Sequence, residues 1–263
     1  MLPEELKGIP VEDMGDRLII PGLTDLHIHA PQYTFRSLGM DMELLEWLET
    51  NTFPEESKYK DAEYAQKAYG MFAEQLKKSA TVRACIFGTI HNEATLILMD
   101  LLEEAGLHTM VGKVNMDRNS PDYLCEPSAE ASAQATREWM KAVADRKYKH
   151  TRPILTPRFT PSCTDELMEL LKEIQTETHL PMQSHLSENP GEIAWVKELC
   201  PWSEFYGDAY DKFGLFGGDC PTVMAHCVYS GKEEMALMKE KGVFVAHCPE
   251  SNRSEERRVG QER

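Results

Sequence analysis

Short apolar runs rich in β-branched residues alternate along the chain with longer stretches in which apolar positions recur every three or four residues. That alternation is the sequence form of repeated βα units around a parallel sheet. Seven runs read as strands: Leu18 to His29, Val82 to Thr89, Thr109 to Met116, Pro153 to Phe159, Leu180 to His185, Thr222 to Val228 and Val243 to His247. Between them, Leu44, Leu45, Trp47 and Leu48 share one face of a short helix, and Ala62 to Lys78 keeps helical spacing. Asn92 to Gly106 stops on glycine, Ser128 to Tyr148 is helical, and Thr164 opens a helix that turns Leu167, Leu170 and Leu171 inward. Gly231 to Lys241 is the final helix. The class predicted is α/β.

Length and charge narrow this picture. A chain of 263 residues holds one barrel of about 250 residues and little more. With 41% hydrophobic and 27% charged residues it lies within the ordinary globular range. A formal charge of −16 disfavours nucleic acid and anionic membrane as partners and favours a small neutral substrate. The N-terminus has no basic and apolar leader, and no run approaches a membrane span, so a cytoplasmic location is expected. Seven cysteines without a framework spacing fit free thiols in a reducing compartment.

The candidate chemistry sits at strand ends. Alternate side chains of a strand share a face, so Asp25, His27 and His29 point one way, and the His-x-His pair can clamp one metal ion. His185, His226 and His247 each lie near the C-terminal end of a further strand, the rim where barrels gather their chemistry. Neutral imidazole is a common zinc ligand. Glu188, three residues beyond His185, reads either as a proton shuttle beside activated water or as a solvated loop carboxylate. Cys227 and Cys248 follow strand-end histidines directly, and alternation turns them away from the site as inert thiols.

Several longer motifs carry a resemblance. They are Pro21-Gly-Leu-Thr-Asp-Leu-His-Ile-His29, His29-Ala-Pro-Gln-Tyr33, Leu44-Leu-Glu-Trp-Leu48, Thr52-Phe-Pro-Glu55, Val111-Gly-Lys-Val-Asn-Met-Asp117, Leu155-Thr-Pro-Arg-Phe159, Gln183-Ser-His-Leu-Ser-Glu-Asn189 and Val223-Met-Ala-His-Cys227. In order and spacing, over residues 17 to 252, the chain resembles the guanine deaminase family of the amidohydrolase superfamily. The resemblance implies a (β/α)8 TIM barrel of the metal-dependent hydrolase type. It also implies hydrolysis of guanine to xanthine and ammonia by water activated on one zinc ion, with iron as an alternative, in a homodimer. His27, His29 and His185 match the zinc ligands, and His226 matches a histidine that ligates the metal or hydrogen-bonds the hydroxide it carries. Glu188 matches the proton shuttle, while Gln32, Arg158 and Phe159, with His185 and Glu188, match the purine-binding residues. Arg158 also reads as a plain ion-pair residue, Phe159 as a core plug, and His247 as structural.

Three expectations complete this reading. Residues 1–17 form either a remnant of flanking β-structure or an arm, and 18–252 form a barrel with about seven of eight βα units. The charged stretch 253–263 is an aberrant tail in place of the eighth strand, whose aspartate ligand finds no match. The chain is therefore expected to be poorly soluble or inactive by itself. Competing readings are another amidohydrolase acting on a pterin, triazine or adenosine derivative, and a metal- or purine-binding fragment without turnover. The absence of a P-C-x-x-C sequence argues against the cytidine deaminase type of zinc site.

Overall fold

The computed structural model describes residues 3–252, so the predicted tail at 253–263 lies outside the described residues. Among the described residues there are nine strand segments: β1 (Leu23–His29), β2 (Thr81–Phe87), β3 (His108–Gly112), β4 (Val114–Asn115), β5 (Thr151–Pro153), β6 (Thr156–Pro157), β7 (Met182–Leu186), β8 (Thr222–His226) and β9 (Phe244–Ala246). Every ladder is parallel. β1, β2, β3 and β5 are neighbours in that order, β4 pairs with β6, and β7, β8 and β9 follow one another. A bridge from Leu155 to Met182 joins the first strands to the last, giving one curved arc. Among the described residues no ladder pairs β9 with β1.

The helices described are α1 (Leu44–Trp47) and α2 (Phe53–Ser57), which pack at the strand-end rim, followed by α3 (Ala62–Lys77), α4 (Asn92–Glu104), α5 (Ala129–Arg146), α6 (Asp165–Thr178), α7 (Pro190–Leu199), α8 (Asp208–Asp211) and α9 (Lys232–Lys241). Their starts are chemically marked. Asp61 caps α3, Ser128 caps α5 and Thr164 caps α6, each accepting hydrogen bonds from orphan N–H groups of the first turn. Ile86, Leu98, Val111 and Trp139 fill the layer between the early strands and α3 to α5, while Leu167, Leu171, Met182 and Tyr210 fill the layer behind the later ones.

All seven strand boundaries shift by a residue or more, and three of the runs differ most from the expectation. The first strand begins at Leu23 rather than Leu18, because pairing with β2 starts only there and Leu18, Ile19 and Ile20 are exposed. The third and fourth runs each break in two. Gly112 passes so close to Thr156 that an added Cβ would lie 1.7 Å from its Oγ1, while Pro153 and Pro157 remove ladder donors. The break turns Lys113 inward to a buried ion pair with Glu126. Helices α7 and α8 fill a gap that strand counting left unspecified.

Candidate metal and purine site

β1 delivers His27 and His29 to the rim, β7 delivers His185 and β8 delivers His226. All eight candidate residues, namely His27, His29, Gln32, Arg158, Phe159, His185, Glu188 and His226, line a single cavity of about 880 Å³. Their conjunction is a product of the arc alone, since 199 positions separate the first from the last.

The imidazoles are in mutual contact. His29 Nε2 and His185 Nε2 lie 3.0 Å apart, and the His27 ring centroid is 4.9 Å from that of His29, 4.8 Å from His185 and 5.2 Å from His226. Ligand nitrogens of His27, His185 and His226 all fall within 4.8 Å of one another. Two nitrogens bound tetrahedrally to one zinc ion are roughly 3.3 Å apart, so this set needs only a small contraction. His185 Nδ1 faces the Arg158 carbonyl at 2.6 Å, which places its proton there and leaves the Nε2 lone pair turned toward the cluster. His29 Nδ1 is buried with no partner. Burial, reinforced by the neighbouring imidazoles and by Arg158, holds His27, His29 and His185 well below the ordinary histidine range. Neutral imidazoles with converging lone pairs are the donor set a divalent cation requires, so the residues fit such an ion.

His226 behaves differently. Burial works against its charge, but Cys248, Asn252 and Glu192 outweigh that and push its pKa up. Its Nδ1 lies 2.9 Å from Asn252 Oδ1 and 3.2 Å from Glu188 Oε1. His226 and Cys227 both adopt left-handed backbone conformations, with φ of 73° and 54°, as does Ser187 at 48°. Such strain in non-glycine residues clusters where surrounding packing must aim a side chain.

Glu188 is buried, and its N–H donates to Glu192 Oε2 at 3.0 Å. Glu192 closes a capping box with Asn189 at the start of α7 and accepts from Tyr206, and burial pushes its carboxyl up to about 6. Arg158 Nη1 donates to Glu56 Oε2 at 2.6 Å, so Arg158 forms an ion pair and also lines the cavity. Phe159 is 4% exposed and meets Trp195 edge-on at 6.2 Å. Gln32 rides on the 3-10 turn Ala30–Phe35 that follows β1, half-buried.

One expectation fails. Cys248 lines the cavity and bears on His226, because β9 ends at Ala246 and the backbone then turns, so strand alternation no longer sets the direction of that thiol. Cys227 does fit the inert reading, its thiol pushed up to about 12 by burial. His247 is exposed at the cavity edge. Sequence reasoning missed Glu56 and Glu192. The Asn189-x-x-Glu192 spacing is a capping-box signal that could have found the second; nothing in the sequence singles out Glu56 from its neighbour Glu55.

The Amidohydrolase family model matches residues 18–260. A guanine deaminase of Dictyostelium discoideum is 43% identical over 242 residues, covering 92% of this chain and 53% of that protein. The crystal structure of a guanine deaminase from C. acetobutylicum with bound guanine superposes with a TM-score of 0.92 at 48% identity, covering 97% of this chain and 60% of that one. A zinc-bound adenosine deaminase from Xanthomonas campestris shares the fold, with a TM-score of 0.74 at 22% identity over 89% of this chain and 50% of its own. The chain spans about half the length of the curated relatives it matches.

Proposed function

The chain belongs to the amidohydrolase family, and on that premise we propose that its site performs the hydrolytic deamination of guanine to xanthine and ammonia. The observation that supports this most is the single cavity in which four strand-borne imidazoles, the buried carboxylates of Glu188 and Glu192 and one buried guanidinium meet. A guanine-bound relative at 48% identity supports the choice of base.

His27, His29 and His185 would hold one divalent cation, zinc by the nitrogen character of the set, and His226, which forms the tightest trio with His27 and His185, would stand beside it or share in holding it. When bound, such an ion supplies the Lewis acidity that makes water a nucleophile near neutral pH. Glu188 would shuttle two protons in turn: the first from the attacking water to the ring nitrogen, the second from the hydroxyl then on C2 to the amine, which departs as ammonia when the C2–N bond breaks and the C2 carbonyl forms, so that guanine and water give xanthine and ammonia with no net proton change. His226 is within reach of the same carboxylate at 3.2 Å and holds it in place. Arg158 and Gln32 address the polar edge of the ring, and Phe159, backed by Trp195, forms an apolar wall that keeps water from its face. Polar groups satisfied only by guanine penalise adenine, because a base lacking the matching acceptor leaves buried donors unpaired.

The test is to incubate the zinc-loaded chain with guanine, follow xanthine and ammonia, and compare guanine with adenine in equilibrium dialysis. Equal binding of both bases, or of neither, would defeat the guanine assignment. A second reading, a metal- and purine-binding unit without turnover, is favoured by the absence of a ladder between β9 and β1 among the described residues. Selective guanine binding without xanthine would support it.

A further inference from the structure

We propose that Glu56 is a positioning residue that orients Arg158 toward the acceptor edge of the base and balances its charge beside the imidazole cluster; this rests on the guanine reading. The two residues are 102 positions apart, one on α2 and one at the end of the fourth strand run, and only the tertiary fold brings them together. Their side chains are 1% and 3% exposed, so neither charge is solvated by bulk water.

Arginine carries five N–H donors in one rigid plane, so fixing one nitrogen and one face fixes the rest. Nη1 is tied to Glu56 Oε2 at 2.6 Å, and the guanidinium carbon lies 5.3 Å from the Phe53 ring centroid. The backbone of Arg158 is anchored as well, its N–H donating to the Asn115 carbonyl at 3.2 Å and its own carbonyl facing His185 Nδ1. With plane and root both set, the donors not used by Glu56 are pre-aimed, which lowers the ordering cost of binding a planar acceptor edge. The second oxygen of Glu56, Oε1, is buried without a partner, so Arg158 is the carboxylate's one hydrogen-bond partner among the described residues.

Glu56 also balances charge within the cavity. Arg158 lines the same cavity as His27, His29 and His185, and its cation opposes a divalent cation held there. The Glu56 carboxylate offsets that repulsion and lets a cation-binding cluster and an arginine share one cavity.

The experiment uses the whole 263-residue chain as wild type, E56Q and E56D, with zinc affinity read by chelator competition and guanine affinity by dialysis of the zinc-loaded protein. E56Q, which keeps an acceptor and loses the charge, is expected to weaken guanine binding by roughly tenfold to a hundredfold. It should weaken zinc binding roughly tenfold, the scale of one unit charge acting across a protein interior. E56D keeps the charge and shortens the reach, so it loses guanine affinity while zinc affinity stays near wild type. The Arg158 side-chain Nε–H resonance, assigned by its loss in R158K, should be sharp in wild type and broadened in both variants. Guanine affinity within twofold of wild type in a folded variant would overturn the positioning role. Zinc affinity within twofold in E56Q would overturn the charge role. Failure of the wild type to bind guanine would instead defeat the guanine reading, and the zinc titration and Arg158 resonance would still decide on Glu56.

Discussion

The Lys113–Glu126 pair offers a perturbation whose size can be worked out beforehand. Lys113 is 1% exposed, Glu126 is 8% exposed, and the carboxylate also accepts from the Met116 N–H at 3.1 Å and from Ser132. Desolvation lowers the pKa of Lys113 even against the pull of Glu126. In E126Q the carboxylate charge is gone, and the ammonium is left buried with only an amide. Removing one partner of a buried pair costs about 3–5 kcal/mol. Lysine, however, can escape by releasing its proton, and from a reference value near 10.4 that costs at most about 4.6 kcal/mol at pH 7, at about 1.36 kcal/mol per unit. The ceiling drops to about 1.9 kcal/mol at pH 9.

The sign follows from proton counting. The unfolded chain holds the Lys113 proton up to its reference pKa, and the folded variant releases it earlier, so the unfolded state binds more protons and variant stability rises with pH. We expect E126Q to be destabilised by roughly 3–4 kcal/mol at pH 7 and by up to about 2.7 kcal/mol less at pH 9, after subtraction of the wild-type curve. K113M/E126Q should recover most of the loss, because no buried charge remains. Urea denaturation of the three proteins at pH 7, 8 and 9 measures all of this. A difference between E126Q and wild type that stays constant across the range, or that lies below about 1 kcal/mol at pH 7, would refute the reasoning.

E188Q should abolish xanthine formation in any preparation that turns guanine over while leaving guanine affinity within a few fold, a split read by rate and dialysis together. G112A should be destabilised by roughly 3 kcal/mol or fail to fold, because the new methyl would meet Thr156 side-chain atoms and the Ile154 carbonyl at 2.9 Å or less, and thermal melts read it directly. Burial drives His91 down to about 4, so it stays neutral in the fold and protonates in the unfolded chain below about 6.5. Its contribution is present above 6.5 and lost as pH falls toward 4, roughly 2 kcal/mol after discounting for partial exposure, and H91N should remove that part of the acid sensitivity in melts at pH 7.5 and 4.5.

The sequence alone determined the alternation of strands and helices, the caps at Ser128 and Thr164, and the segments that end in His27, His29, His185 and His226. These are local properties: hydrophobic period, hydrogen bonding within one turn, and residue type at a strand end are written in consecutive positions. Only the tertiary structure decided that Glu56 meets Arg158, that Lys113 turns inward to Glu126, that β3 and β5 break off short of β4 and β6, and that Cys248 faces His226. Those contacts depend on how far each segment twists and where a glycine or proline interrupts a ladder. Side-chain direction past such a break is set by packing between segments far apart in the chain, and no local pattern encodes it.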